Sequence, residues 1–474
     1  MTETLLIRDV LTVDPADTGA PSRKTFLLEH GRIAAVFEGS TASVTAARVI
    51  DGRDRLLMPG IVNAHTHSPL NILKGTGDIL SHPAFMWRNQ ADTAGRTPDE
   101  IRLSTLLGCV EHLLNGTTAV IDHFPEQGFG EADVDAVVDG YRLSGMRALV
   151  ALRIYDEPYT DIEPPGGLPD STIENPLTPP PLHESLALVE ACIKRHTGTA
   201  EGRITVCPAP SNPMRCSDDL LIGVRNMAER HNTAIHMHLL ETATQADIAR
   251  KRYGTSMVRH MDELGLVSPR LSTAHSIWLD DDEIAIMGER RAIPVHNPES
   301  NLKLGTGIAP IAKMLRAGVT VALGTDGAGT NDNLDIHEVM RLAVMLQRPG
   351  ERNRKRWPTA QDALRMATVN GGKAMQQEGL GTLSPGAPAD LVLHDLTAPF
   401  WVPLNDPVLQ LVFGASGSTV DTVIIGGRIV VEGRQIVAFD AAPVLDEARD
   451  LVHRLRARNA DLHAWASRME SLVS

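Results

Sequence analysis

The chain has 474 residues, of which 42% are hydrophobic, 22% charged and 4% aromatic, an ordinary globular composition with room for a large domain and a smaller one. Its net charge of -14, from 59 acidic and 45 basic residues, gives no support for binding nucleic acid or a membrane surface. No signal-peptide pattern opens the sequence and its four cysteines form no CxxC pair, so we expect a cytoplasmic protein with reduced thiols.

The two ends of the chain predict one small β domain. Residues 2–57 contain short apolar segments separated by turn residues, and similar segments return at 390–393, 422–425 and 429–431. We therefore predict that 1–57 and 376–440 pair with each other, with the rest of the chain inserted between them. The tail, 441–474, is predicted to form one helix on the surface.

The middle of the chain, 58–375, alternates strand patterns with amphipathic segments. The candidate strands are 58–66, 117–124, 147–155, 204–210, 234–240, 271–276, 292–297 and 319–325. Eight short strands, most followed by a helix, favour an α/β fold with a parallel (β/α)8 TIM barrel. An open doubly wound sheet is the alternative, but no glycine-rich phosphate fingerprint follows the first strand. The Pro-, Gly- and acid-rich stretch 156–182 predicts a long loop, either a lid or a subunit contact.

The predicted strand ends collect imidazoles and carboxylates, and a barrel carries its function at those ends. In the first strand His65 and His67 point the same way, because side chains alternate along a strand. Two such imidazoles suit a divalent metal that takes further ligands from elsewhere. The later strand ends contribute His123, His236, His238, Glu241, His275, His296 and Asp326.

Several of these residues have more than one interpretation. His236 and His238 share a face of the fifth strand; His238 lies nearer the mouth and is the better ligand, while His236 is expected to be hydrogen-bonded in the layer below. Glu241 suits a general acid/base or a first-turn helix acid. His275 could bind metal, orient water or be a core histidine. Asp326 could complete the metal site and accept a proton.

Two absences narrow the metal chemistry. The fourth strand, 204–209, has no lysine that could be carbamylated to bridge two metals, which favours one metal. The chain also lacks the Pro-Cys-x-x-Cys motif of the cytidine-deaminase type of zinc site. Imidazole and carboxylate ligands accept zinc, which we expect, or iron(II), manganese or cobalt.

Five segments, in this order and spacing, resemble the amidohydrolase superfamily: PGIVNAHTH, HMHLLET, AHSIWLDDDE, PVHNPESNLKLGTGIAPI and VALGTDGAGTNDNLD. They are most similar to the ATZ/TRZ group, which contains triazine hydrolases, cytosine and guanine deaminases, and S-adenosylhomocysteine/methylthioadenosine deaminases. The segment 383–391 is similar to the point where that family returns to its β-sandwich. The resemblance thus covers nearly the whole chain and implies a β-sandwich beside the barrel.

Residue by residue, the resemblance implies a set of metal ligands: His65, His67, His238 and Asp326. It makes Glu241 the proton shuttle, His275 the residue that orients or polarises the water, and Asp326 the acceptor of the water's proton. Candidate substrate contacts are Asn71, Lys74, Trp87, Asn89, Gln90, His123, Arg153, Tyr155, His296, Asn297 and Asn301. Trp87 could stack on a flat heterocycle or pack in the core. Asn301 could line the pocket or could instead serve only to hold its loop.

The sequence therefore predicts a mononuclear metal-dependent hydrolase of small molecules. We expect an aminohydrolase of an amino-substituted N-heteroaromatic compound, namely an s-triazine, purine, pyrimidine or pterin. The reason is Glu241, which is present here, whereas some triazine chlorohydrolases of the group lack the equivalent acid. The same site could hydrolyse a urea, amide, thiocarbamate or carbon–halogen bond. A catalytically silent scaffold is the alternative of another class. A homodimer is expected from the family alone.

Overall fold

The computed structural model describes residues 4–17, 19–40, 44–125, 128–158 and 178–471. The strands are β1 (Leu5–Thr12), β2 (Ser22–Glu29), β3 (Arg32–Glu38), β4 (Arg48–Asp51), β5 (Arg55–Pro59), β6 (Ile61–Thr66), β7 (Thr117–Phe124), β8 (Arg147–Ile154), β9 (Ile204–Pro210), β10 (Ile235–Leu239), β11 (Leu271–His275), β12 (Ile293–His296), β13 (Ala322–Leu323), β14 (Leu391–Asp395), β15 (Val420–Ile425), β16 (Arg428–Glu432) and β17 (Gln435–Ile436). The helices are His82–Thr93, Pro98–Leu114, Glu131–Ser144, Leu182–His196, Thr199–Gly202, Asp218–His231, Ala243–Tyr253, Met257–Glu263, Asp281–Arg290, Pro298–Lys303, Ile311–Arg316, Ala328–Asn331, Ile336–Met345, Ala360–Ala367, Val369–Ala374, Pro407–Phe413, Ala441–Ala448, Leu451–Arg458 and Ala460–Glu470. None of the helices in these ranges is long and apolar enough to cross a bilayer.

A nine-stranded mixed sheet joins the two ends of the chain. Its order is β17-β16-β15-β14-β5-β1-β2-β3, and β4 pairs with β1. The junction is the antiparallel pair of β5 and β14, in which Leu57 lies opposite Leu393. Both residues are buried in one apolar cluster with Phe26 and Ile424, so strands from opposite ends of the sequence cover the same core. The division of the chain at 57/58 and 375/376 stays a prediction.

Two four-stranded parallel sheets carry the middle of the chain. Their orders are β6-β7-β8-β9 and β10-β11-β12-β13, which is the α/β arrangement that the alternating patterns predicted. The strands are buried throughout, apart from partly buried residues in β9 and β10, as expected of parallel sheets, which are covered on both faces. The candidate site lies at the carboxyl ends of these strands.

The first predicted strand, 58–66, needs correction because it belongs to two sheets. β5 ends at Pro59 in the mixed sheet, and β6 begins at Ile61 in a parallel sheet. The chain changes sheets at Gly60, where a Cβ atom would collide with the side chain of Thr118. A glycine is therefore required at the crossing. The eighth predicted strand, 319–325, shrinks to the two residues of β13.

The tail contains three helices, Ala441–Ala448, Leu451–Arg458 and Ala460–Glu470, where the sequence predicts one. The last break falls at Asn459, whose amide donates to the carbonyls of Ala91 and Ala94 at 3.0 and 2.8 Å. Arg456 also pairs with Asp92 at 2.7 Å. The tail is thus bent to pack on the helix His82–Thr93. Most of the predicted loop 156–182, namely 159–177, lies outside the described residues, so its role stays a prediction.

Candidate active site

Six side chains from five strand ends converge in the centre of the fold. Three overlapping groups place their ligand atoms within 4.8 Å of one another: His65, His238 and His275; His67, His123 and His238; and His65, His67 and Asp326. All are buried except His238, which is partly exposed. We call these six side chains the ligand cluster. The structure thereby brings together the four predicted ligands and His275, and it adds His123.

Backbone carbonyls fix the orientation of two of the rings. The Nδ1 of His67 lies 3.0 Å from the carbonyl oxygen of His123, and the Nδ1 of His238 lies 2.9 Å from that of Ser211. A carbonyl only accepts, so both Nδ1 atoms donate and both Nε2 atoms keep their lone pairs. Those two Nε2 atoms are 3.3 Å apart, which is the separation expected of neighbouring ligands of one metal ion.

A buried chain of hydrogen bonds fixes the orientation of the His65 ring. Its Nδ1 lies 2.8 Å from the Nε2 of His236, and the Nδ1 of His236 lies 2.7 Å from the hydroxyl of Ser272. The Nε2 of His65 is buried, has no hydrogen-bond partner among the described residues, and lies 3.6 Å from Asp326 Oδ1. Burial lowers the pKa of His65, as do the imidazoles of His67 and His238, and burial lowers the pKa of His236 to about 3. Neutral rings result, the form that binds metal.

Asp326 completes the cluster from the end of β13. Its Oδ1 accepts from the N–H of Gly327 at 2.7 Å and lies 3.3 Å from the Nε2 of His67. Its Oδ2 accepts from the hydroxyl of Ser300 at 2.6 Å. The backbone of Asp326 has φ of 63°, a left-handed conformation that costs free energy for a residue other than glycine. The cost is typical of a residue held for function rather than for stability.

Glu241 and His275 lie together beside this carboxylate. The Nδ1 of His275 lies 2.9 Å from the amide oxygen of Asn301, so its Nε2 faces Glu241 Oε2 at 3.8 Å and Asp326 Oδ2 at 4.0 Å. Glu241 is 5% exposed. Burial pushes the pKa of Glu241 upward, but the imidazoles of His275 and His82 outweigh it and hold that pKa below its usual range. The result is an ionised carboxylate facing an imidazole, which suits proton transfer.

His82 is the site residue that the sequence reasoning missed. It begins the helix His82–Thr93, and its Nε2 lies 2.9 Å from Glu241 Oε2. The two residues are 159 positions apart, and no strand pattern precedes His82. Its only local signal is its place directly after Ser81, which caps the helix; that signal predicts a helix start and says nothing of a site.

The candidate substrate contacts are divided between the site and the core. His123 lies in the ligand cluster, with its ring centroid 4.6 Å from that of His238, and burial lowers its pKa. Arg153 donates from Nε to the Ser211 hydroxyl at 3.0 Å and lines a cavity of about 300 Å³ with Tyr155. Asn301 contacts His275, as described above. These positions leave substrate binding by His123 and Arg153 as predictions.

Three other candidate substrate contacts are buried. His296 ends β12, neither of its ring nitrogens has a partner among the described residues, and burial lowers its pKa to about 3. Trp87 is fully buried in the helix His82–Thr93, with its ring edge-to-face at 6.4 Å from that of Trp465. Gln90 is buried on the same helix. The tail therefore packs against the Trp87 ring, and stacking of that ring on a substrate stays a prediction.

The donor set fits a divalent metal. The three imidazoles of His65, His67 and His238 present Nε2 lone pairs beside the carboxylate of Asp326, and the buried Nε2 of His65 has no hydrogen-bond partner in the described part of the chain. Nitrogen and oxygen donors of this kind suit zinc and the other first-row divalent ions. An α/β fold with such a cluster, and with a buried carboxylate and imidazole beside it, fits a hydrolase that uses a metal to activate water.

The chain belongs to the amidohydrolase family, whose sequence profile matches residues 56–430. The family predicted from the five segments is thereby confirmed, and with it the enzyme class. The chain is 32% identical over 456 residues to the 5'-deoxyadenosine deaminase of Methanosarcina mazei, which covers 95% of this chain and 97% of that protein. It is 34% identical over 457 residues to the 5-methylthioadenosine/S-adenosylhomocysteine deaminase of Syntrophobacter fumaroxidans, covering 94% and 97%.

A solved structure supports the same relationship. The zinc-containing adenosine deaminase from Xanthomonas campestris matches with a TM-score of 0.84 and 30% identity, covering 96% of this chain and 98% of that one. The similarity therefore extends over the mixed sheet, both parallel sheets and the site between them.

Proposed function

We propose that this chain is a metal-dependent aminohydrolase that converts an adenine nucleoside derivative and water to the hypoxanthine counterpart and ammonia. The observation that carries the proposal is the ionised Glu241 carboxylate facing His275 beside three outward Nε2 lone pairs. A chloride leaves without a proton, whereas an amino group must be protonated to leave as ammonia, and Glu241 can relay a proton from the attacking water. Relatives named as deaminases of adenosine derivatives support the choice of substrate.

The proposed mechanism assigns one task to each residue. His65, His67, His238 and Asp326 would hold the metal, which when bound lowers the pKa of water toward neutrality. Glu241 takes one proton from the attacking water and passes it to the ring nitrogen next to the amino-bearing carbon, while His275 orients that water through Nε2. Asp326 takes the second proton of the water and returns it to the leaving amine. The net balance is one water consumed and one ammonia released.

The identity of the metal and the closure of the barrel belong to the same proposal. We infer that the ion is zinc, as in the Xanthomonas campestris structure. We infer also that β6–β9 and β10–β13 are the halves of one closed eight-stranded barrel. Hydrogen bonds at both junctions support closure: His238 N–H donates to the Ser211 carbonyl at 3.2 Å, and Asp326 N–H donates to the His65 carbonyl at 3.0 Å.

The location and assembly state of the protein are part of the same proposal. The four cysteines are all free and buried, which fits a reducing cytoplasm. A homodimer stays an expectation from the family, to be measured by light scattering. No partner other than a small molecule is proposed.

An ammonia-release screen with the zinc-loaded protein tests the function. The panel contains adenosine, 5'-deoxyadenosine, methylthioadenosine, S-adenosylhomocysteine, aminotriazines, cytosine, guanine and a pterin. We expect release from adenine nucleosides, and release lowered by about 10²- to 10⁴-fold in Glu241→Gln with metal content unchanged. Glu263→Gln, at an exposed glutamate, is the matched control and should keep full turnover. Release from triazines or pterins alone, or hydrolysis of ureas or amides alone, would contradict the proposal.

A further inference from the structure

The pair of His82 and Glu241 ties the active site to a helix that supplies none of the ligand cluster. His82 is 9% exposed and stands first in the helix His82–Thr93. The hydroxyl of Ser81 accepts from the N–H of Ala84 and caps that helix, which fixes the backbone position of His82. The imidazole therefore approaches Glu241 from a rigid element.

Glu241 needs such an anchor more than the other site residues do. Its backbone is fixed after the left-handed turn at Leu240, where φ is 46°, and its N–H donates to Gln245 Oε1 at 2.8 Å. Neither contact involves the side-chain carboxylate, which needs a restraint of its own to keep one orientation. Asp326, by contrast, is held by both Ser300 and Gly327.

His82 supplies the missing restraint. Among the described residues, it is the one side chain outside the ligand cluster that hydrogen-bonds the Glu241 carboxylate. The oxygen that it contacts, Oε2, is also the oxygen that faces His275 Nε2 at 3.8 Å. Without that bond the carboxylate can turn away from His275, and a misplacement of about 1 Å at a reacting group costs on the order of 100-fold in rate.

We propose that His82 is a positioning residue for proton transfer: it orients Glu241 so that Oε2 stays beside His275. The proposal rests on the proposed function, because there Glu241 carries the proton. His82 acts through Glu241, so its removal should change turnover and leave substrate affinity and metal content nearly as they are.

The first experiment measures kcat, KM and zinc content in two variants. His82→Phe keeps the ring shape and removes the donor, and should lower kcat by about 10- to 100-fold with KM changed by less than about threefold. His82→Gln keeps an N–H donor and should recover part of that loss. His183→Gln, at a histidine whose side chain is 84% exposed, is the control and should behave as wild type. An unchanged kcat in His82→Phe, or an equal loss in both His82 variants, overturns the proposal.

A double-mutant cycle tests whether His82 acts through Glu241. In Glu241→Gln there is no carboxylate to orient, so adding His82→Phe should leave the residual turnover unchanged. Independent, multiplicative losses would show that His82 has a different role and would overturn the proposal.

A spectroscopic measurement separates this proposal from the proposed function. With isotope-labelled histidine, the ring-nitrogen resonance that disappears in His82→Phe belongs to His82, and it should shift in Glu241→Gln with or without zinc. If the wild-type protein released no ammonia from any adenine nucleoside, the proposed function would fail while this shift still tested the pair. A His82 resonance unmoved by Glu241→Gln overturns the inference whatever the substrate is.

Discussion

The hydrogen-bonded chain beneath His65 makes a quantitative prediction for metal affinity. His236→Leu removes the acceptor of the His65 Nδ1–H, which is fully buried and has no solvent to replace that partner. In the metal-free variant the proton can move to Nε2, and metal binding must reverse that change. Loss of an outer partner of a metal-binding histidine typically costs 10- to 100-fold in affinity, or about 1.4 to 2.7 kcal/mol. We expect a loss of that size in His236→Leu.

A chelator-competition titration measures the loss directly, with circular dichroism to show that the variant is folded. Ser272→Ala removes the hydroxyl one bond farther from His65 and should cost less than about tenfold. His112→Leu, at another buried histidine, is a control that should leave metal affinity unchanged. A folded His236→Leu protein that binds zinc within about twofold of wild type would refute the reasoning.

Three further predictions follow from single contacts. Ser300→Ala removes the donor to Asp326 Oδ2 and should weaken zinc binding by about tenfold in the same titration; unchanged affinity would contradict it. Burial raises the pKa of Glu299 to about 8, so stability present below the unfolded pKa is lost as pH rises through about 8. Glu299→Gln should flatten that decline in thermal unfolding between about pH 5 and pH 9, and an unaltered decline would contradict it. Arg147→Met leaves the buried Asp390 without its partner at 2.9 Å and should cost about 3 to 5 kcal/mol in urea unfolding, partly restored by adding Asp390→Leu; a single variant as stable as wild type would contradict it.

The parallel strands and their order along the chain were predictable because burial on both faces leaves continuous apolar runs. The alternation of side chains then placed His65 and His67 on one face, and the structure has both in the ligand cluster. His236, expected below the mouth, is hydrogen-bonded there. Local periodicity was thus enough to predict the position of a residue whose role depends on its place in its own strand.

The features that the sequence did not predict depend on contacts between distant segments, which periodicity does not encode. His82 meets Glu241 only because the helix after β6 folds over the end of β10. The same holds for Asn459, whose bonds to Ala91 and Ala94 break the predicted single helix. The division at Gly60 likewise reflects the approach of Thr118. A sequence pattern cannot reveal which neighbour a side chain will meet.

The first and last parallel strands are joined beside the ligand cluster. Asn63 donates to the Thr325 hydroxyl at 2.7 Å and accepts from the Thr325 N–H at 3.0 Å, and the next residue, Asp326, donates to the His65 carbonyl. The proposed ligands His65 and Asp326 therefore come together only when β6 and β13 have met. An ion that contacts both would bind only the state in which this junction is formed, and it would stabilise that state by about 4 kcal/mol at a free concentration 1,000 times its Kd.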